Sequence, residues 1–121
     1  MNENWINTPQ YRLLERYLDV TSMRHSLVTG NLANLDTPGY QTRDLDFRGE
    51  LIRAMDGTGW GETSPTVIPV RGLIQRPDGN NVSVDRETML LSEVQLKFKI
   101  AAQLLRAELA QLRTAIHEGA Q

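Results

Sequence analysis

The residues of this chain that could do chemistry are few and scattered. Its two histidines, His25 and His117, are far apart in sequence and without a nearby carboxylate pattern for general acid–base work. His25 falls on an apolar line next to Thr21 and reads as a polar, register-setting position facing another helix. His117 sits in the last turn of a helical segment, where a cation suits the helix dipole. Asp44-Leu45-Asp46 has the Asp-x-Asp spacing that can hold Mg²⁺ or Mn²⁺. No Gly-rich phosphate loop accompanies it, and Arg43, Arg48 and Arg53 stand near enough in sequence to pair with the acids. Asp78, Asn80 and Val82 begin like a calcium loop but fail at the third ligand, which is apolar. Asn81-Val82-Ser83 fits a glycosylation acceptor by composition alone. Ser22, Ser26 and Ser92 lie in helical segments with no nucleophile elbow around them. With no cysteine, disulfides, thiol nucleophiles and cysteine zinc sites are excluded. These residues argue against an enzyme, and no catalytic residue, metal ligand or cofactor is assigned.

The elements that position them follow from composition and periodicity. The 121 residues are one domain's worth, 40% hydrophobic, with only two Trp, three Tyr and two Phe, so the core must be aliphatic. A net charge of −2 supplies no electrostatic drive toward nucleic acid or an anionic membrane surface. Basic residues form no stripe with interleaved aromatics. No run approaches ~18 apolar residues, so no membrane span is expected. Met1 to Asn7 lacks the basic and apolar regions of a cleaved secretory signal.

A first helix is expected over residues 9–34, capped by Thr8 and opened by Pro9. Leu14, Leu18, Thr21, His25, Val28, Leu32 and Leu35 alternate in steps of four and three, a coiled-coil seam. Leu13, Tyr17, Val20 and Leu27 make a second apolar line. A second helix is expected over 86–117, with Asp85 as its cap and neither Gly nor Pro inside. Leu91, Val94, Phe98, Ala101, Leu105, Leu109, Leu112 and Ile116 keep the same steps with one stutter. The fold class is therefore mainly α, with two long terminal helices forming an antiparallel coiled-coil hairpin. Its divisions are 1–35, an irregular middle at 36–84, and 85–121. The middle is rich in Gly and Pro, leaves room for short edge strands at 66–70 and 73–74, and turns at Asp78-Gly79-Asn80-Asn81. Apolar lines on more than one side of two helices imply a subunit that finishes its core with neighbours.

One segment asks for more than a helix stop. In Asn31-Leu32-Ala33-Asn34-Leu35-Asp36-Thr37-Pro38-Gly39-Tyr40, Asn34 can close the helix and Pro38-Gly39 fits the centre of a type II turn. Tyr40 then leaves extended, with its ring able to pack back on the helix. Asn31-x-Ala33-Asn34-x-x-Thr37-Pro38-Gly39-Tyr40 resembles the signature of bacterial flagellar axial proteins, the rod, hook and hook-associated subunits. Leu35 is bulkier than that pattern expects. Downstream, Thr42-Arg43-Asp44-Leu45-Asp46-Phe47 resembles the Arg-Asp-x-Asp-Phe run of proximal rod subunits. The stretch from Asn80 to Glu87, then Gln103 to Leu105 and Leu112 to Ile116, is similar to the same subfamily, and nothing in 57–75 is matched.

The resemblance implies a structural subunit of the proximal rod, drive shaft and export-channel wall, self-assembling through its terminal helices. It implies export through the flagellar type III apparatus without signal cleavage, and assembly in the periplasm. The partners it implies are further copies, the sister proximal subunit FlgC, the adaptor FliE and the export gate, with no nucleic acid and no membrane insertion. Leu14, Leu18, Val28, Leu32, Val94, Phe98, Leu105, Leu109, Leu112 and Ile116 would then form the assembly seam. Asn31, Ala33, Asn34, Thr37, Pro38, Gly39 and Tyr40 would fix the helix exit. Arg43, Asp44, Asp46 and Phe47 would make the middle-segment contacts, the charged ones as ion pairs between subunits. A self-contained helical hairpin, serving as an adaptor or chaperone-like binding module, is the alternative these elements leave open.

Overall fold

The computed structural model describes residues 9–56 and 65–119, so Thr8 and the Gly57–Gly61 run lie outside the described residues. In chain order the elements are α1 (Pro9–Ala33), β1 (Arg43–Leu45), α2 (Phe47–Met55), β2 (Val67–Pro69) and α3 (Val84–Gly119). The protein is mainly helical. α1 and α3 pack antiparallel: Asn31 meets Glu87 at one end, and toward the other end Gln10 and Tyr17 of α1 line a common cleft with Ala101 and Glu108 of α3. No helix among the described residues is long and apolar enough to cross a membrane.

The cap of α3 is Ser83, not Asp85. The Ser83 Oγ accepts from the Arg86 N–H at 3.2 Å, and its carbonyl accepts from Glu87 N–H at 3.0 Å. Asp85 then falls in the first turn, where it complements the dipole. α2 is an element the periodicity did not predict. Asp46 caps it by accepting from the Gly49 N–H at 3.2 Å. A Cβ on Gly49 would stand 2.2 Å from the Asp46 carboxylate, so glycine is what lets this cap close.

β1 and β2 pair antiparallel, with Arg43 opposite Pro69, Asp44 opposite Ile68 and Leu45 opposite Val67. The Val70 N–H donates to Thr42 O at 3.0 Å, and alternation from there makes Asp44–Ile68 the hydrogen-bonded pair. Pro69 therefore points its missing N–H at the free edge, where it costs no ladder bond. The strand expected at 73–74 is not formed. One edge of β1 is filled by β2 and the other by a side chain described below, and Ile74 stands 90% exposed.

The apolar core is drawn from Val20 and Val28 of α1, Ala54 of α2, and Leu90, Val94 and Ala101 of α3, with Leu45 and Val82 from the connections. Along the seam Leu14, Leu18, Leu32, Leu105 and Leu112 are half-buried, whereas Phe98, Leu109 and Ile116 are exposed. α3 runs about three turns past Glu108, beyond the described start of α1. α1 also ends at Ala33, which takes Leu35 off the helix and into the turn that follows.

Candidate functional site

The helix-exit segment is built around Asn31, which is 1% exposed. Its Nδ2 donates to Arg43 O at 2.8 Å and to a Glu87 carboxylate oxygen at 3.1 Å. Its Oδ1 accepts from the Tyr40 hydroxyl at 3.0 Å and from Arg43 N–H at 3.2 Å. An amide has two donor hydrogens and two acceptor positions, and all are used. Both Arg43 backbone groups point away from β2, so the Asn31 amide stands where a third strand would, and joins α1 to β1 and α3.

The turn itself follows from its residue types. Asn34 closes α1, with its N–H on Gly30 O at 3.1 Å and its Nδ2 on the same oxygen at 2.8 Å. The Thr37 hydroxyl donates to Asn34 Oδ1 at 3.0 Å, and Tyr40 N–H to Thr37 O at 3.2 Å. Gly39 has φ 76°, the sign the third position of a type II turn requires. Ala33, Thr37 and Pro38 are exposed.

A second strand of chain locks this turn from beneath. Asn80, fully buried, donates through Nδ2 to Asn34 O, Leu35 O and Thr37 O, each at 2.9 Å, and accepts from Val82 N–H at 2.8 Å. Those carbonyls belong to the turn just past the end of α1, so Asn80 ties down the helix exit from 46 residues away. Arg76 adds donors to Leu35 O and Val82 O. Asn81 Oδ1 accepts from Thr42 N–H at 2.7 Å, its Nδ2 donates to Gln41 Oε1 at 3.0 Å, and Gly39 N–H reaches Asp78 O at 2.9 Å. Asp78-Gly79-Asn80-Asn81 reads in sequence as an ordinary turn, yet it is the counterpart of the exit motif. The doubled asparagine was the available signal.

Asp44 is buried and clasped between both long helices. Arg24 of α1 holds it through two nitrogens at 3.0 and 3.1 Å, and Arg86 of α3 through one at 2.7 Å. The expected partners Arg43, Arg48 and Arg53 do not make these pairs; Arg53 instead meets Glu50 on its own helix. Burial alone pushes the Asp44 carboxyl upward. The hydrogen bonds from Arg24, from Leu45 N–H and from Arg86, with the charge of Arg24, outweigh that and hold it below its ordinary 3.8. Arg86 also donates to Glu87 at 2.6 Å, so Asp44, Arg86, Glu87 and Asn31 form one connected network. Glu50 fastens α2 to α1 through Arg16 at 3.1 Å and takes the Thr66 N–H at 3.1 Å. Phe47 lies edge-on to Tyr17 at 5.5 Å, with Lys97 Nζ 4.9 Å above its ring. Arg24 and Arg76 are site residues that the sequence reading did not name, and Asn80, Asn81, Arg86 and Glu87 lay in the 80–87 stretch of the resemblance without a role at this joint. A charged residue in a helix's first turn ordinarily reads as solvated, which is why Glu87 was given no buried role.

This arrangement positions chains. Every carboxylate at its heart is held by a guanidinium or amide, and among the described residues no group of three His, Asp or Glu could hold a metal. What it produces is a rigid joint between two helices, with apolar lines left facing outward along their length.

No protein-family model matches the chain. Curated relatives do. The chain is 35% identical over 106 aligned positions to the flagellar basal body rod protein FlgB of Cereibacter sphaeroides, covering 77% of this chain and 82% of that protein. It is 30% identical over 109 positions to the protein of the same name from Borrelia hermsii, covering 73% and 81%. Against that of Salmonella typhimurium it is 29% identical over 128 positions, covering 89% and 93%.

Proposed function

The chain belongs to the FlgB family of flagellar basal body rod proteins, and on that premise we propose that it is a structural subunit of a bacterial flagellar rod. In this reading its terminal helices join those of neighbouring copies, and the resulting shaft transmits motor torque and walls the export channel. Its other neighbours are the sister subunit FlgC, the adaptor FliE and the type III export gate. The subunit reaches the periplasm by type III export without loss of a signal peptide. Within this assembly the seam residues supply the packing. Asp44 is spent on the clasp inside the chain, which leaves the exposed Arg43 and the exposed Asp46 as the charged middle-segment residues available to a neighbour.

A second apolar line on α3 carries this proposal. Met89, Leu96, Ile100 and Leu104 are 64, 59, 49 and 55% exposed. Ile100 lies about 120° around the helix from the buried Val94, so α1 cannot cover both faces. Ile100 and Leu104 join Leu13, Leu14 and Tyr17 of α1 along an open, largely apolar cleft of about 450 Å³, room for the side-chain ridge of a neighbouring helix. Apolar surface of this extent on a small chain calls for partners.

The test is an Ile100→Asp, Leu104→Asp double variant in the source bacterium deleted for its own copy. The unsubstituted chain should restore rods and swimming. The double variant, equally helical by circular dichroism and equally expressed, should restore neither. Swimming restored by the double variant would overturn assembly through this face.

A further inference from the structure

The α1–α3 pair has two broad sides. β1 and α2 cover one of them, tied to α1 by Arg24 and Arg16. On the other side a cleft of about 300 Å³ opens between the helices, lined by Thr21, Ser22, His25, Val94, Gln95 and Phe98 and by no residue of β1 or α2. Phe98 stands 44% exposed there, with Leu14, Leu18 and Leu105 half-buried along the same side. Charges flank this side in two rows. Lys99 and Arg106 follow Phe98 and Leu105 along the outer margin of α3, and Glu15 and Asp19 follow Leu14 and Leu18 along the outer margin of α1. All four are exposed, and none is ion-paired among the described residues. The width of the helix pair keeps the two rows apart within one chain.

We propose that a second copy of the chain docks on this side, the two helix pairs stacking as a four-helix bundle about a two-fold axis parallel to the helices. Lys99 and Arg106 of each copy then face Asp19 and Glu15 of the other. Such an axis sets α1 of one copy beside α3 of its partner, antiparallel, so every helix has antiparallel neighbours. It also leaves each residue at its own height, so the register between copies is the register within the chain. Asn31 of α1 is level with Glu87 of α3, to which it is bonded. Twelve residues back along α1 and twelve onward along α3 bring Asp19 level with Lys99. Glu15 comes level with Gln103, about 4.5 Å of helix from Arg106 and within reach of its side chain. The two Phe98 rings stand at one height and close both clefts. A two-fold axis running across the helices would instead set α1 on α1 and α3 on α3, like charge against like. In the pair proposed, both copies point the same way, and the Ile100–Leu104 face of each stays free.

The test uses the full chain carrying Ile100→Asp and Leu104→Asp, which silences the other face, and reads mass by sedimentation equilibrium over a concentration series. Mass should double as concentration rises. In one derivative Glu15 and Asp19 are changed to Lys, and in another Lys99 and Arg106 are changed to Glu. Each derivative, equally helical by circular dichroism, should stay a single chain, because every facing pair then repels. Mixed in equal amounts, the two derivatives should pair again, since each row now meets its opposite. A chain that stays single throughout, a derivative that pairs by itself, or a mixture that does not pair would each overturn the proposal. None of these results bears on rod assembly through Ile100 and Leu104, which the swimming assay reads separately.

Discussion

Asn31 is the residue on which the most elements converge, and its chemistry makes its replacement informative. Alanine there would strand the Tyr40 hydroxyl, both Arg43 backbone groups and one Glu87 oxygen, at about 1–3 kcal/mol for each group left unsatisfied. Partial rehydration keeps the total for Asn31→Ala near 3 kcal/mol. Asn31→Asp should cost more near neutral pH, because it turns the donor facing Glu87 into a second carboxylate. Urea denaturation of both variants checks the order. The two turn glycines separate conformational strain from crowding. Gly39, at φ 76°, has open space around a notional Cβ, so Gly39→Ala should cost about 1–2 kcal/mol. Gly79, at φ 88°, would put its Cβ 3.3 Å from the Gly39 Cα, backbone against backbone, so Gly79→Ala should lower the melting temperature further. At this scale the exit motif was legible because its residue types match a turn's demands within ten positions. Asn80 was not, because a side chain that holds a turn 46 residues away leaves no local pattern.

Between elements, Asp44 is the clasp: a carboxylate on β1 that binds Arg24 of α1 and Arg86 of α3 together. Its folded pKa lies below 3.8, so its contribution is complete above the ordinary carboxylate range. That contribution is lost as pH falls through about 4 and below. Asp44→Asn should destabilise the protein by about 2 kcal/mol at pH 7, the low side for a broken buried pair because both guanidiniums keep some water. The difference from the unsubstituted chain should shrink steadily below pH 4, as the native clasp takes up its proton. Denaturant midpoints over a pH series read this directly. Periodicity predicted both long helices, since their apolar residues recur in steps of three and four over many turns. It missed α2, nine residues with Gly49 in the first turn, because its apolar line of Phe47, Leu51 and Ala54 spans only two turns, and the cap at Asp46 and the anchor at Glu50 that fix it leave no periodic pattern. The true guanidinium partners of Asp44 were equally hidden, lying 20 and 42 residues away.

Across the whole molecule these contacts are unevenly distributed. Asn31, Asp44, Asn80, Asn81 and Glu87 gather buried polar bonds at one end of the α1–α3 pair, where Val28, Val82, Leu90 and Val94 are also buried. Toward the other end the last buried side chain of α3 is Ala101, and beyond it Leu104, Leu109 and Ile116 stand open. An isolated helical end is marginal without an apolar face covered. Hydrogen exchange of the dilute chain should therefore divide α3 along its length. Amides over 86–96, with those of 24–33 in α1, should exchange only through global unfolding. Amides over 105–119 should exchange at least about a hundredfold faster, equivalent to roughly 3 kcal/mol less opening free energy. A self-contained hairpin adaptor needs α3 closed along its whole length and predicts even protection. A subunit built to share its helices predicts the gradient, and predicts that the fast end becomes slow once copies assemble around it.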